Sequence, residues 1–206
     1  MLDYETLIIA LVSQKGGAGK STLAANITAY AAINGSKAAI IDLDPQASIS
    51  TWHAIRDKDD ITLLTLHPPL LSKSIAQLKK DGYGLIVIDT PPHNSTAAVN
   101  AINEADLTLI PVRPSAFDLA AVQATFDQLG DNLGGVIVNA IPSGTSVEGS
   151  AVNFIKSAGV RVLSTISQRV AFQHSANAGQ GVIEYEPSGK AALEITNLWK
   201  KIGDIL

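Results

Sequence analysis

Leu7-Ile8-Ile9-Ala10-Leu11-Val12-Ser13-Gln14-Lys15-Gly16-Gly17-Ala18-Gly19-Lys20-Ser21-Thr22 is the stretch that decides how this chain folds and what it holds. Residues 7–12 are an apolar run of strand length that delivers the backbone into a glycine-rich turn, and a helical pattern opens at its far end. Glycines let successive backbone N–H groups converge on one point. The unsatisfied N–H groups and the dipole of a helix N-terminus add to that pull, so the stretch is a nest for phosphate oxygens. Lys20 then reaches β- and γ-phosphates as a point charge, and the Ser21 hydroxyl can complete the shell of a Mg²⁺ ion. Thr22 is placed to help hold an α-phosphate. The generic pattern G-x-x-x-x-G-K-[ST] is missed at one position, because Gln14 stands where its first glycine belongs.

With 206 residues, 46% of them apolar and 17% charged, the chain can bury a substantial core and reads as one globular domain over 1–206. Its apolar runs, such as Leu85–Ile88 and Ala38–Ile41, are strand-length and end at aspartate, far short of a membrane span. The start, Met1-Leu2-Asp3-Tyr4-Glu5, has neither the basic residues nor the apolar region of a signal peptide, so a cytoplasmic location is the expectation. The absence of cysteine excludes disulfides and cysteine-ligated iron–sulfur clusters.

Short β-rich runs near 7–12, 37–42, 61–66, 84–88, 106–111, 134–139 and 160–165 alternate with segments of helical spacing. Runs such as Leu85-Ile86-Val87-Ile88 are apolar on both faces, as a covered parallel sheet requires. The fold class is therefore α/β, a doubly wound, mostly parallel central sheet with helices on both faces. In such sheets ligands sit beyond the carboxyl ends of the strands, which here carry Lys15, Asp42, Asp89, Pro111 and Asn139. A final helix over 187–205 is expected to turn Leu193, Leu198, Trp199 and Ile202 to the core.

Two acidic clusters follow the glycine-rich loop. In Ile40-Ile41-Asp42-Leu43-Asp44-Pro45-Gln46, alternation along an extended segment puts Asp42 and Asp44 on the same side, facing a terminal phosphate and its metal. In Leu85-Ile86-Val87-Ile88-Asp89-Thr90-Pro91-Pro92, an apolar strand ends in an aspartate able to hold Mg²⁺ directly or through water. Two prolines stiffen the turn after it, so that residues 93–100, including His93, could move as one piece. His53, His67 and His174 show no metal-ligand spacing.

Lys15-Gly16-Gly17-Ala18-Gly19-Lys20-Ser21 resembles the deviant Walker A box of the ParA/MinD family of P-loop ATPases. Asp42-Leu43-Asp44-Pro45-Gln46 is similar to that family's switch I, and Asp89-Thr90-Pro91-Pro92 to its switch II. The resemblance implies Mg²⁺-dependent hydrolysis of ATP, with Gly16, Gly17, Ala18, Gly19, Lys20, Ser21 and Thr22 around the phosphates. It implies that Asp44 positions or activates the attacking water and that Ser21, Asp42 and Asp89 organise the magnesium. Asn139 matches an asparagine that contacts adenine, and Pro111 is a further candidate nucleotide contact. Pro111-Val112-Arg113-Pro114-Ser115 resembles a P-x-x-P-S loop of short ParA-like proteins, with Arg113 where glutamine is expected. No N-K-x-D guanine motif is present, which favours ATP over GTP. Lys15 implies an ATP-dependent sandwich homodimer in which each chain's Lys15 acts on the partner's triphosphate.

For the use of such a switch, the resemblance implies DNA partition: an ATP dimer that binds nonspecific DNA, is nucleoid-associated, and is released when a ParB-like or other centromere-binding adaptor stimulates hydrolysis. Net charge is −4, so no global basic signature marks a DNA binder. Residues 148–206 hold six basic and five acidic residues, and Arg169, Lys190, Lys200 and Lys201, with Lys156 and Arg161, are the candidate phosphate contacts. A MinD-like membrane-positioning ATPase is the alternative, resting on the amphipathic stretch 193–206. In that stretch Glu194 and Asp204 cancel Lys200 and Lys201, which argues for core packing instead. A metabolic P-loop enzyme of the dethiobiotin synthetase type shares the expected fold, but Asp42-Leu43-Asp44-Pro45-Gln46 argues against it.

Overall fold

The computed structural model describes residues 6–92 and 95–206, so the readings of Met1–Glu5 and of His93 lie outside the described residues. Strands β1 (Leu7–Leu11), β2 (Ala38–Asp42), β3 (Ile61–Thr65), β4 (Leu85–Asp89), β5 (Leu107–Val112), β6 (Gly134–Ile141) and β7 (Val162–Ser167) form one sheet in the order β3-β2-β4-β1-β5-β6-β7. Each pairing among them is parallel, so the sheet expected to be mostly parallel is wholly so among the described residues. The connecting helices are α1 (Lys20–Ile33), α2 (Ser48–Ala54), α3 (Leu71–Lys80), α4 (Thr96–Glu104), α5 (Ala116–Ala120), α6 (Val122–Asp127), α7 (Val147–Ser157), α8 (Val170–Asn177), α9 (Val182–Tyr185) and α10 (Lys190–Ile205).

Alternation along the buried strands divides the core in two. Leu7, Ile9, Leu11, Ile40, Val87 and Leu109 face α1, α9 and α10, while Ile8, Ala10, Val12, Ile41, Ile86 and Ile88 face α3, α4 and the helices beyond β5. Strands apolar on both faces cannot be left half-wet, and this forces helices onto both sides of the sheet.

Helix α1 is buried around most of its circumference, from Leu23 to Ala31, because the sheet covers one side and the C-terminal helices the other. Its buried polar groups are satisfied. Asn26 donates to the Thr22 carbonyl at 2.7 Å and accepts the Val182 N–H at 2.8 Å, and Thr28 donates to the Ala24 carbonyl. Helix α10 lays Ala191, Ala192, Ile195, Leu198 and Ile202 against this layer, and Trp199 sits 5.5 Å from the Tyr30 ring. Leu193 departs from expectation. Two residues along a helix is a rotation of about 200°, so with Ile195 inward Leu193 points outward and is 59% exposed.

Consecutive strands run from β1 toward one edge through β2 and β3, then return through β4, and β5 to β7 extend the other edge. The chain thus reverses direction about β1, and the loop leaving β1 opens into the crevice where such sheets hold ligands.

Candidate nucleotide site

The turn from β1 into α1 carries the loop Ser13–Gly19, with Gly17 and Gly19 at φ +72° and +101°. Gly19 caps α1 in a left-handed conformation, so the first N–H groups of a helix fourteen residues long open onto the cleft. A Cβ at Gly19 would collide with the side-chain nitrogen of Asn139. The cleft encloses about 950 Å³, and Gly16, Gly17, Gly19, Lys20, Ser21, Thr22 and Asp44 line one side of it. Arg169, Phe172, Gln173 and Asn177 from the start and face of α8 line the other. Ala18 is buried beneath the loop.

Lys20 is 6% exposed, and burial pulls its pKa down against the opposing attraction of Asp89 and Asp44. Parallel register sets Asp42 directly beside Asp89 on neighbouring strands, and both are fully buried. The two carboxylates differ in their partners. Asp42 accepts the Asp44 N–H at 3.0 Å and the Ser50 hydroxyl at 2.8 Å, so one oxygen ties down the loop that follows β2 and the other the start of α2. Neither oxygen of Asp89 has a hydrogen-bond partner among the described residues. Burial pushes Asp89 up to about 7, helped by Asp42 and Asp44. It is opposed by Lys20 and by the Ser21 hydroxyl, which lies close enough to lower the value without meeting hydrogen-bond geometry.

A buried carboxylate beside a serine hydroxyl and Lys20, at the root of a glycine-rich loop, is what a hard cation needs. Among the described residues no group of three or more His, Cys, Asp or Glu side chains converges as a metal cage. The residues present therefore fit Mg²⁺ held by one or two protein oxygens together with phosphate and water, rather than an all-protein site.

Asp44 lies at the cleft wall, partly exposed, two residues past the end of β2. Asp42 and Asp44 differ in setting: Asp42 ends the strand, is fully buried and accepts the Asp44 N–H, while Asp44 lines the cleft. Lys15 is exposed beside the loop, and its N–H approaches the Ser13 hydroxyl at 3.4 Å. Asn139 is turned onto the loop, where its amide donates to the Ala18 carbonyl at 2.8 Å. A register shift follows Val138, and Ala140 sits at φ +53°, a strained conformation for a residue with a Cβ. This bulge is what aims Asn139 at the loop. Pro111 lies within β5 against a small cavity behind the loop, walled by Ser13, Lys15 and Arg113, and it does not line the main cleft. Register with β1 ends at Leu11 and Leu109, so the missing proline N–H falls past that ladder.

Other residues carry the site with no sequence signal. Thr90 donates to the Leu11 carbonyl at 2.7 Å, joining the end of β4 to the root of the loop. Ala47 takes φ +53° at the entry to α2, directly after the Asp44-Pro45-Gln46 turn. Arg56 is buried after α2 and spends all five of its N–H donors on Asp60, Glu184 and the Gly179 carbonyl, at 2.7–2.9 Å. Arg169 forms an ion pair with Glu194 at 2.7 Å at the mouth of the cleft, so this candidate DNA contact is a paired residue of the cleft wall. Lys190, Lys200 and Lys201 are exposed on α10.

Residues 9–182 match the model of the CobQ/CobB/MinD/ParA nucleotide binding domain. The chromosome-partitioning ATPase Soj of Thermus thermophilus is 29% identical over 151 residues, 59% of this chain and 61% of that protein. The maintenance of carboxysome distribution protein A of Gloeobacter kilaueensis is 34% identical over 142 residues, 68% of this chain and 59% of that one. The chain thus spans about three-fifths of the length of these relatives. The structure of the cell division ATPase MinD of Pyrococcus furiosus superposes with a TM-score of 0.81 at 21% identity, covering 97% of this chain and 99% of the other. No helix among the described residues is long and apolar enough to cross a membrane. A phosphate-cradling loop, paired strand-end aspartates and a family model matching most of the chain lead to one conclusion: this chain belongs to the ParA/MinD family of nucleotide-binding ATPases.

Proposed function

We propose that the chain is a Mg²⁺-dependent ATPase, acting as one domain, that cycles between an ATP-bound sandwich homodimer on nonspecific DNA and a released state, and so distributes a cargo. The observation that carries the nucleotide half of this reading is Asp89: a fully buried carboxylate without a donor, beside Lys20 and Ser21 at the root of the phosphate loop.

In this reading the loop N–H groups, Lys20 and Thr22 bind the phosphates, and Gly16, Gly17 and Gly19 allow the backbone to approach. Ser21 and Asp89 would hold Mg²⁺, which would supply neutralisation of phosphate charge, and Asp42 orders the loop beside them through the Asp44 N–H. Asp44 accepts or orients the proton of the attacking water from the cleft wall. Lys15 is exposed and does not line the main cleft, which suits action on a partner's triphosphate in the manner of an arginine finger. Asn139 stands between the loop and the α8 side of the cleft, where an adenine would lie.

Partition is favoured over membrane positioning by α10, whose apolar residues Ile195, Leu198, Trp199 and Ile202 pack on α1 and β7, leaving Lys190, Lys200 and Lys201 outward. A basic face doubled in a dimer binds DNA phosphates in a salt-sensitive way. The names of relatives, a chromosome-partitioning ATPase and a carboxysome distribution protein, agree with a cargo distributor, and in this reading a ParB-like or other centromere-binding adaptor stimulates hydrolysis. The test is binding of the purified protein to nonspecific duplex DNA with ATP, ADP or no nucleotide at two salt concentrations, with anionic liposomes alongside. ATP-dependent, salt-sensitive DNA binding without liposome binding is expected, and liposome binding alone would replace partition with the MinD-like alternative.

A further inference from the structure

Three cations line the cleft, and they differ in what already holds them. Lys20 is buried at the root of the loop between Asp89 and Asp44. Arg169 is paired with Glu194. Arg113 is exposed and makes no hydrogen bond or ion pair among the described residues. The nearest acid on its own segment, Asp118, is engaged by the Ser115 hydroxyl at 2.8 Å and the Ser115 side chain also caps α5, so it does not claim the guanidinium. Arg113 leaves the end of β5 and lies across the outer turn of the loop. Its Nη2 is 3.7 Å from where a Cβ on Gly17 would stand, and Gly17 is held at φ +72°. It lines both the main cleft and the small cavity behind the loop that Lys15 also lines.

An unpaired guanidinium parked over a glycine is held there by no partner of its own, and its five-donor fork matches the oxygens of a phosphate group. A nucleotide in this cleft lies with its inner phosphates at the helix N-terminus, Lys20 to Thr22, and its outermost phosphate toward the exposed turn at Gly16 and Gly17. We propose that Arg113 contacts the terminal phosphate of the triphosphate bound in its own loop, making the site prefer a nucleoside triphosphate to a diphosphate. This inference rests on the nucleotide reading of the cleft and assigns to it a residue that tells the two nucleotide states apart.

The experiment is isothermal titration of the wild type, Arg113→Gln and Arg113→Lys with Mg²⁺ and either ADP or a non-hydrolysable ATP analogue, a readout independent of turnover. In Arg113→Gln, affinity for the ATP analogue is expected to fall about 10-fold or more while affinity for ADP falls less than about 3-fold, the scale of one charge-assisted hydrogen-bonded contact. Arg113→Lys keeps the charge without the fork and should fall between. A Gln variant that matches wild type for both nucleotides, or loses both equally, overturns the terminal-phosphate assignment while leaving the nucleotide site intact. Wild type that binds neither nucleotide overturns the site reading itself, and the two failures are thereby told apart.

Discussion

Replacing Asp89 by asparagine should make the ligand-free protein more stable while weakening its hold on magnesium and nucleotide. Asp89 is fully buried, has no hydrogen-bond donor, and is pushed from 3.8 up to about 7 chiefly by burial. A carboxyl whose folded value is raised binds its proton more tightly in the native state, so its cost is absent below about pH 4, builds as pH rises toward 7, and is full above that. The interval from 3.8 to about 7, at about 1.4 kcal/mol per pH unit, bounds the penalty at roughly 4 kcal/mol. A buried amide with unmade hydrogen bonds returns about 1–3 kcal/mol of that, leaving Asp89→Asn ahead by about 1–3 kcal/mol at pH 8. For a chain of this size that is a rise in Tm of roughly 3–10 °C. Thermal unfolding of both proteins without nucleotide at pH 5.5, 7 and 8 measures it, and the gap should widen with pH because only the wild type titrates. A variant no more stable at pH 8, or stabilised equally at every pH, would refute the account of Asp89 as a strained, cation-ready carboxylate.

Arg56→Ala should be among the most damaging single changes outside the cleft, costing about 3–5 kcal/mol and lowering Tm by roughly 6–20 °C, because it leaves the buried Glu184 and the Gly179 carbonyl without their main donor. Burial works to raise Glu184, but hydrogen bonds from Arg56 and Lys58 outweigh it; Asp60 is held low first by its hydrogen bonds from Arg56. Stability from these depressed carboxylates is present above about pH 4 and lost below it, so the gap between wild type and Arg56→Ala should close in urea titrations near pH 3. Lys15→Gln is expected to reduce turnover by about 100-fold or more and to weaken ATP-driven dimerisation, scored by phosphate release and light scattering, and unchanged turnover would sink the in-trans role. Asn139→Ala removes both a hydrogen bond to the loop worth about 0.5–1.5 kcal/mol and the amide beside the expected adenine position, so affinity should fall two- to tenfold for ATP and less for GTP; an equal loss for both would assign the side chain to bracing the loop alone.

The parts of this molecule that were legible in the sequence are those whose physics is local. The seven strands announced themselves because a covered parallel strand must be apolar on both faces, and the loop because a phosphate nest needs glycines next to a helix start. Asp42 and Asp89 were visible as acids ending apolar strands, but their different duties were not. Register places them side by side, and it takes Ser50, eight residues on, to occupy one while nothing occupies the other. Alternation along an extended segment says nothing of burial, so it did not separate Asp42, fully buried at the strand end, from Asp44 on the cleft wall. Contacts between distant segments left no trace: Asn139 meets Ala18 across 121 positions, Arg56 meets Glu184 across 128, and Glu194 reaches back to Arg169 from a different helix.

These hidden contacts share a location that gives them a common consequence. Ser50 and Arg56 tie the loop after β2 and the end of α2 to β2 and α9, and Asn139 ties the phosphate loop to β6. Thr90 ties β4 to β1, and Glu194 ties the wall of the cleft to α10. The glycine-rich loop is therefore braced from β4 and from β6, one strand beyond β5, while Asp89 and Arg113 have no hydrogen-bond partner among the described residues. Rigid scaffolding with two unpaired charges is an arrangement that gains most when a metal-bound triphosphate arrives, since the ligand supplies a cation to one and an anion to the other. A diphosphate that stops short of Arg113 satisfies only half of it, and that asymmetry gives the fold a physical means of telling the state before hydrolysis from the state after.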